Sequence, residues 1–274
     1  MLLQTAVILT HEELLARPDI DLVYISLRNH LHEEWTMRAL DAGKHVICEK
    51  PLATSLASAQ RMLAAAESRS LLLYENLMYL HHPQHAMVKS IIASGRIGKI
   101  VTIRSIFGFP MPTSGDFRLD PDQGGGAFLD LSRYSAGTAM HFLNGPLIRM
   151  KGSATWEGRL NTGLAGTATT AEGELFIFSN IFGQQYESFY EICCEKGRIR
   201  VDRAYTPPAD MANRIMLFEG ERLTEISAPP ADHFKLMIDA VVTAVRNGSY
   251  SVINSRTLAT AELAEMMAKG CLDE

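Results

Sequence analysis

The stretch LVYISLRNHLHEEWTMRALDAGKHVICEKP, residues 22–51, decides the fold of the first part of this chain. It opens on a short apolar run (22–27) of the kind buried on both faces of a parallel sheet. From His32 to Ala42 the pattern is helical, and Gly43 follows as a helix stop. Residues 45–48 form a second apolar strand, which Pro51 ends. Strand, helix and strand in this order predict a parallel pair with a crossover helix. The alternation continues downstream with an Ala-rich helix at 55–68, a strand at 71–74 and a helix at 83–94 that stops at Gly95. Upstream, residues 6–9 read as a short strand. Thr10-His11-Glu12-Glu13 reads as a capping box, with Thr10 as N-cap and Glu13 reaching back to it.

From Lys99 the period changes to two. Val101, Ile103, Ser105, Phe107 and Phe109 share one face of a strand, with Thr102 and Arg104 on the other. Further strand-like stretches at 148–156, 166–171, 174–181, 188–194, 198–205 and 214–218 are separated by Gly, Pro or polar turns and predict an antiparallel sheet. Helices fit 130–143, 232–246 and 256–269. The fold class is therefore α/β followed by α+β: a parallel sheet over residues 1–97, then a larger domain over 98–274 with an open antiparallel sheet and flanking helices. Too few helices follow Lys99 to cover both faces of that sheet, and an uncovered apolar face predicts a homo-oligomer.

Composition excludes several classes. The net charge of −5 carries no footprint for nucleic acid or an anionic membrane. No apolar run approaches 18 residues, so no span is expected. The N-terminus lacks the basic start and small-residue cleavage site of a signal peptide. Cys48, Cys193, Cys194 and Cys271 show no C-x-x-C spacing, which fits reduced thiols in a cytoplasm. Asn247-Gly248-Ser249 reads as a helix stop rather than a glycosylation site.

Few segments carry chemistry. In Glu49-Lys50-Pro51 the lysine stands at the C-terminal end of a parallel strand, where ligands bind in open α/β sheets; spacing alone leaves it a solvated strand-end lysine. Gly124-Gly125-Gly126 precedes a helix, as a phosphate cradle would, but no Lys-Ser/Thr follows, and a flexible entry loop is the plainer reading. Asp130 and Tyr134 are four apart and share a helix face, where a carboxylate and a phenol can hold and protonate an oxygen; an N-cap and a packed ring would look the same. His81, His82 and His85 invite a metal reading, yet no glutamate ligand lies between them, and a packed cluster is expected. Arg118, in GDFRLDP just before the glycines, is a candidate for substrate oxygens or phosphate. Glu75, Asn76 and Tyr79 follow the third strand and are expected to line a pocket.

The runs GKHVICEKPLA (43–53), GGGAFLDLSRY (124–134) and YEICCEKGRIRVDRAYTPP (190–208) resemble signature segments of the Gfo/Idh/MocA oxidoreductases, in their nucleotide-sugar ketoreductase branch. The likeness covers essentially every residue present. It implies a Rossmann-like first domain, NAD or NADP as cofactor, and a sugar or nucleotide sugar as substrate. It implies Lys50, Asp130 and Tyr134 as the catalytic group, with Asn29, His32, Glu49 and Lys50 near the cofactor and Tyr79 and Arg118 near the substrate. Ser132 departs from the glycine usual in the family. In the family the first strand, a G-x-G-x-x-G turn and the next helix hold the pyrophosphate, and residues 1–20 contain no glycine. The expectation is a chain short of about 50 N-terminal residues, with weak or absent NAD(P) binding and an unpaired strand at the sheet edge. Two other readings stay open: a cofactor-independent isomerase, lyase or cyclase using the same side chains, and a non-catalytic subunit pairing with a complete homologue.

Overall fold

Three short apolar strands, each closed by a turn, align side by side in the first part of the chain. The computed structural model describes residues 7–272. In it β1 (Leu22–Ile25), β2 (His45–Cys48) and β3 (Leu73–Glu75) form a parallel sheet in that order. Helices α2 (His32–Asp41) and α3 (Leu56–Ser68) link them and bury Leu40, Met62 and Leu63 against Val46, Ile47 and Leu73. The stop at Gly43 holds, with Gly43 following α2 at φ +73°, and Ser55, read as the first residue of the helix, is instead its N-cap, accepting from Ser58 N–H. Helix α1 (His11–Ala16) starts with the expected capping box, in which Glu13 N–H donates to Thr10 Oγ1 (3.2 Å) and Thr10 N–H to Glu13 Oε2 (2.8 Å).

The strand expected at 6–9 does not form over Val7, Ile8 and Leu9, which lie against no neighbouring strand and leave Ile8 99% exposed; Ala6 lies outside the described residues. Strand β1 is thus the sheet edge among the described residues. Along it runs an apolar groove of about 370 Å³, lined by Leu14, Leu15, Ile20, Tyr24, Trp35 and Ala39 among others.

The second sheet has eight strands in the order β11-β10-β9-β8-β4-β7-β6-β5. They are β4 (Ile100–Phe109), β5 (Leu147–Glu157), β6 (Leu160–Thr170), β7 (Leu175–Phe182), β8 (Glu187–Cys194), β9 (Arg198–Asp202), β10 (Asn213–Glu219) and β11 (Arg222–Ala228). It is mixed rather than wholly antiparallel: β4 runs parallel to β7, because the long helix α5 (Ala127–Phe142) follows β4 and returns the chain before the β5–β7 meander begins. The period-two face of β4 breaks at Val101, which is 48% exposed; the register slips between Ile100 and Thr102, a bulge that turns Ile100 inward instead. Strand β11 was not expected. Its alternation is weak, and Gly220 at φ +58° makes the tight hairpin that pairs it with β10.

Helix α5 packs on β4, β6 and β7, and its Ser135 hydroxyl meets Ser105 of β4 at 2.9 Å. The face of β4, β8 and β9 away from α5 carries Arg104, Glu191 and Arg198, joined at 3.0 and 2.7 Å. Helices α6 (His233–Arg246) and α7 (Tyr250–Leu272) close the chain. No helix among the described residues is long and apolar enough to cross a membrane.

The packing divides into two compact units. One holds the residues up to Asn76 together with Ala244–Leu258; the other holds Leu77–Thr243 and the chain from Ala259 on. In the first, Asn254 of α7 serves the outer edge of β3 as a neighbouring strand would. Its Oδ1 accepts from Leu73 N–H (2.9 Å) and its Nδ2 donates to Leu71 O (3.1 Å). In the second, helix α4 (Pro83–Ala93) packs on β10 and β11.

His82 and His85, before and within α4, are buried, and among the described residues no three His, Cys, Asp or Glu side chains cluster as metal ligands. His85 is fully buried, its Nδ1 3.0 Å from the Tyr190 hydroxyl. His82 caps α4, its Nδ1 accepting from Gln84 N–H (3.3 Å). Burial, and then His233 beside it, lower the His82 pKa to about 4. A proton on Nδ1 would remove the cap and place positive charge at a helix N-terminus. The unfolded chain titrates near 6.5 and binds this proton more readily than the fold does. The contribution of His82 to stability is therefore complete above pH 6.5 and lost as the pH falls toward 4. His82→Gln should flatten that part of the curve of melting temperature against pH; an unchanged curve would refute the assignment.

Candidate active site

In the first unit the residues of interest gather where the parallel strands end. Lys50 stands two residues past the end of β2, partly exposed, in the turn before Pro51. The turn is held from three sides. The fully buried ring of His32 stands with Nδ1 2.8 Å from Pro51 O and Nε2 2.9 Å from Leu27 O. Leu52 N–H donates to Glu75 Oε1 at 2.7 Å, and Lys50 N–H to Glu49 Oε2 at 3.2 Å. His32 and Glu75, expected near cofactor or pocket, thus act on the backbone that carries Lys50.

Glu49 is engaged as well. Its Oε1 accepts from the Tyr24 hydroxyl and from Asn76 Nδ2 (2.8 Å), which also reaches Tyr24 Oη (2.9 Å). One residue from each strand end joins this triad, and burial together with Glu49 raises the Tyr24 phenol above its ordinary pKa. Asn29 opens a single 3-10 turn after β1 and is 6% exposed.

In the second unit Asp130 and Tyr134 lie one turn apart on α5, 7% and 5% exposed. The Tyr134 ring packs against Phe107 of β4 at 4.8 Å, Tyr205 at 5.3 Å and Tyr79 at 5.4 Å. Its backbone carbonyl accepts from the Tyr79 hydroxyl and from Thr138 Oγ1, both at 2.8 Å. Tyr79, expected near substrate, is fully buried, and this bond gives it the task of holding α5. Arg118 meets Asp130 through Nε at 3.1 Å and Asp116 through Nη1 at 3.2 Å.

The three glycines before α5 form neither a phosphate cradle nor a flexible entry. Gly124 N–H donates to Pro121 O (3.1 Å), Gly125 N–H to Asp120 O (2.9 Å) and Gly126 N–H to Arg118 O (2.9 Å). All three amides are turned inward, so none is offered to an anion. Gly124 and Gly126 take φ of +77° and +112°, and a Cβ on Gly125 would stand 2.6–2.7 Å from three carbonyl oxygens.

Ser132, where the family has glycine, is accommodated with 0% exposure and no hydrogen-bond partner for its Oγ among the described residues. Sequence reasoning passed over Tyr24, Asp116 and Asn180. Asn180 is a fully buried carboxamide on β7, in register with Phe107, and no described protein group pairs with it. An asparagine inside the apolar alternation FIFSNIF was the available signal.

The comparisons follow this division. Residues 3–77 match the family model of the oxidoreductase family, NAD-binding Rossmann fold, and residues 85–200 match the GFO/IDH/MocA C-terminal domain. A dTDP-3,4-didehydro-2,6-dideoxy-alpha-D-glucose 3-reductase of Saccharopolyspora spinosa is 36% identical over 244 residues, 88% of this chain and 74% of the relative. This chain belongs to the Gfo/Idh/MocA oxidoreductase family. A D-xylose 1-dehydrogenase (NADP(+)) of Haloferax volcanii is 30% identical over 87% of this chain and 74% of its own. Among solved structures, a 3-ketoreductase of Actinomadura kijaniata in complex with NADP and TDP-benzene superposes with a TM-score of 0.88 at 34% identity. That match covers 95% of this chain and 81% of the other. This Gfo/Idh/MocA chain thus spans about three quarters of the length of such curated relatives.

Proposed function

We propose that this Gfo/Idh/MocA protein is an NAD(P)-dependent reductase of keto-sugars, with nucleotide-linked sugars as the favoured substrate class. One observation carries the reading: the likeness to dTDP-sugar 3-reductases runs through 88% of the chain. In this reading residues 1–97 serve the cofactor and 98–274 the substrate and self-association, in the cytoplasm. NAD(P)H, when bound, supplies the hydride. This reading assigns Lys50 and Tyr134 as acid–base groups and gives Asp130 the orientation of a substrate hydroxyl. Asn29 and the turn built on Glu49 and His32 shape the nicotinamide end.

The fit to the cofactor is uneven. The strand ends with Asn29 and Lys50 suit a nicotinamide ribose. The N-terminus of α1 is closed by Glu13, and α2 opens on Glu33 and Glu34; these carboxylates repel a pyrophosphate. A polypeptide of these 274 residues is therefore expected to bind NADPH weakly. Calorimetric titration of NADPH, followed by turnover of a dTDP-keto-sugar, tests the whole reading. Micromolar or tighter binding would refute the weak-affinity expectation. Turnover of a substrate without NADPH would replace the redox reading by acid–base chemistry on the same side chains. Association through the larger sheet is part of the proposal, since Val101, Ile148, Trp156 and Leu223 stand exposed on its strands. A monomer in light scattering would contradict it.

A further inference from the structure

Arg118 sits between two carboxylates of unequal burial. Its Nε donates to Asp130 Oδ2 at 3.1 Å, and its Nη1 lies 3.3 and 3.2 Å from the two oxygens of Asp116. The Asp130 side chain is 9% exposed, that of Asp116 25% and that of Arg118 36%. Asp116 also caps the short turn Phe117–Leu119, accepting from Arg118 N–H at 2.9 Å. The carbonyl of Arg118 accepts from Gly126 N–H, immediately before the helix that carries Asp130. Backbone and side chain of one residue therefore join the loop to the first turn of α5. Two of the three guanidinium nitrogens, Nε and Nη1, are thereby engaged with protein carboxylates.

We propose that Arg118 is a positioning residue, which acts on the reaction through Asp130 and is itself set by Asp116, rather than a ligand of the substrate's phosphates. The inference rests on the reductase reading only in giving Asp130 a task toward substrate. A charge-assisted bond on the loop side helps to fix the aim of this nearly buried carboxylate across the helix turn. Removal of the guanidinium takes away the loop-side contact that sets that aim, while Tyr134 stays packed in its aromatic surround.

The test compares Arg118→Gln, Arg118→Lys, Asp116→Asn and the double variant Arg118→Gln/Asp116→Asn. Each is measured by kcat and KM for a dTDP-keto-sugar with saturating NADPH, and by the affinity for dTDP in calorimetry. Arg118→Gln is expected to lower kcat by about 10²-fold, with dTDP affinity within about threefold of the parent. Arg118→Lys keeps the charge without the fork and should recover little. Asp116→Asn should lose about five- to tenfold in kcat, and the double variant should be no worse than Arg118→Gln, because both act on one aspartate. Free guanidinium ion should restore part of kcat in an Arg118→Ala chain, which a loss of folding would not allow. A tenfold loss of dTDP affinity with kcat unchanged would overturn the proposal in favour of direct phosphate binding. Additive effects of Arg118→Gln and Asp116→Asn would overturn it as well. If all Arg118 variants keep full turnover while Lys50→Met and Tyr134→Phe lose it, the inference fails and the reductase reading survives. If the parent chain does not turn over a dTDP-keto-sugar with NADPH at all, the reductase reading fails instead.

Discussion

Lys50→Met and Tyr134→Phe are each expected to lower turnover by about 10²-fold or more while the chain stays folded. Both changes nearly conserve volume, so stability should remain within about 1 kcal/mol of the parent. Phenylalanine at 134 keeps the ring contacts with Phe107, Tyr205 and Tyr79, and the backbone carbonyl still accepts from Tyr79 and Thr138. Only the proton-bearing oxygen is lost. At Lys50 the turn is held by His32, Glu75 and Glu49 through backbone atoms, so the side chain can change without releasing it. Thermal melts and NADPH-oxidation rates read the two effects separately. Full activity in both folded variants would overturn the roles assigned to Lys50 and Tyr134; no activity in the parent chain itself would leave the non-catalytic subunit as the best remaining reading.

Gly125→Ala is expected to cost about 3 kcal/mol of stability or more, which for a chain of this size lowers the melting temperature by roughly 10 °C. The new Cβ would stand 2.6 Å from Arg118 O and 2.7 Å from Asp120 O and Phe117 O. These oxygens cannot swing aside as a flexible side chain would. Two of them accept the amide protons of Gly125 and Gly126 that seat the start of α5. The control is Gly115→Ala, at φ +90° with nothing within 4 Å of the added carbon, where backbone strain alone should cost about 1 kcal/mol. Equal melting temperatures for the two variants would rule out the crowding argument.

The same loop marks where sequence reading stops. Three consecutive glycines are compatible with an anion cradle, a hinge or a crowded turn, because each needs only the absence of a Cβ. The direction of their amides separates these, and it depends on the carbonyls of residues 117–121 folding beneath them. Arg118 is a similar case. Its place before the glycines was legible and suggested phosphate; its two carboxylate partners, one of them twelve residues away on a helix, were not. His32 and Glu49 were recognisable as members of a family segment, yet their contacts lie with the carbonyls of Leu27 and Pro51 and with Tyr24.

By itself, the sequence determined whatever is written in local spacing. The βαβ alternation, the cap at Thr10, the stop at Gly43 and the helical pairing of Asp130 with Tyr134 follow from periods and capping chemistry that act over a few residues. Tertiary structure alone decided the parallel β4–β7 pair, the bulge that turns Val101 outward, the strand β11 and the partners of Arg118, His32 and Tyr79. Each of these joins residues distant in the chain. Which buried donor meets which acceptor is set only when the layers have packed, because the cost of leaving such groups unpaired selects among arrangements that local spacing cannot tell apart.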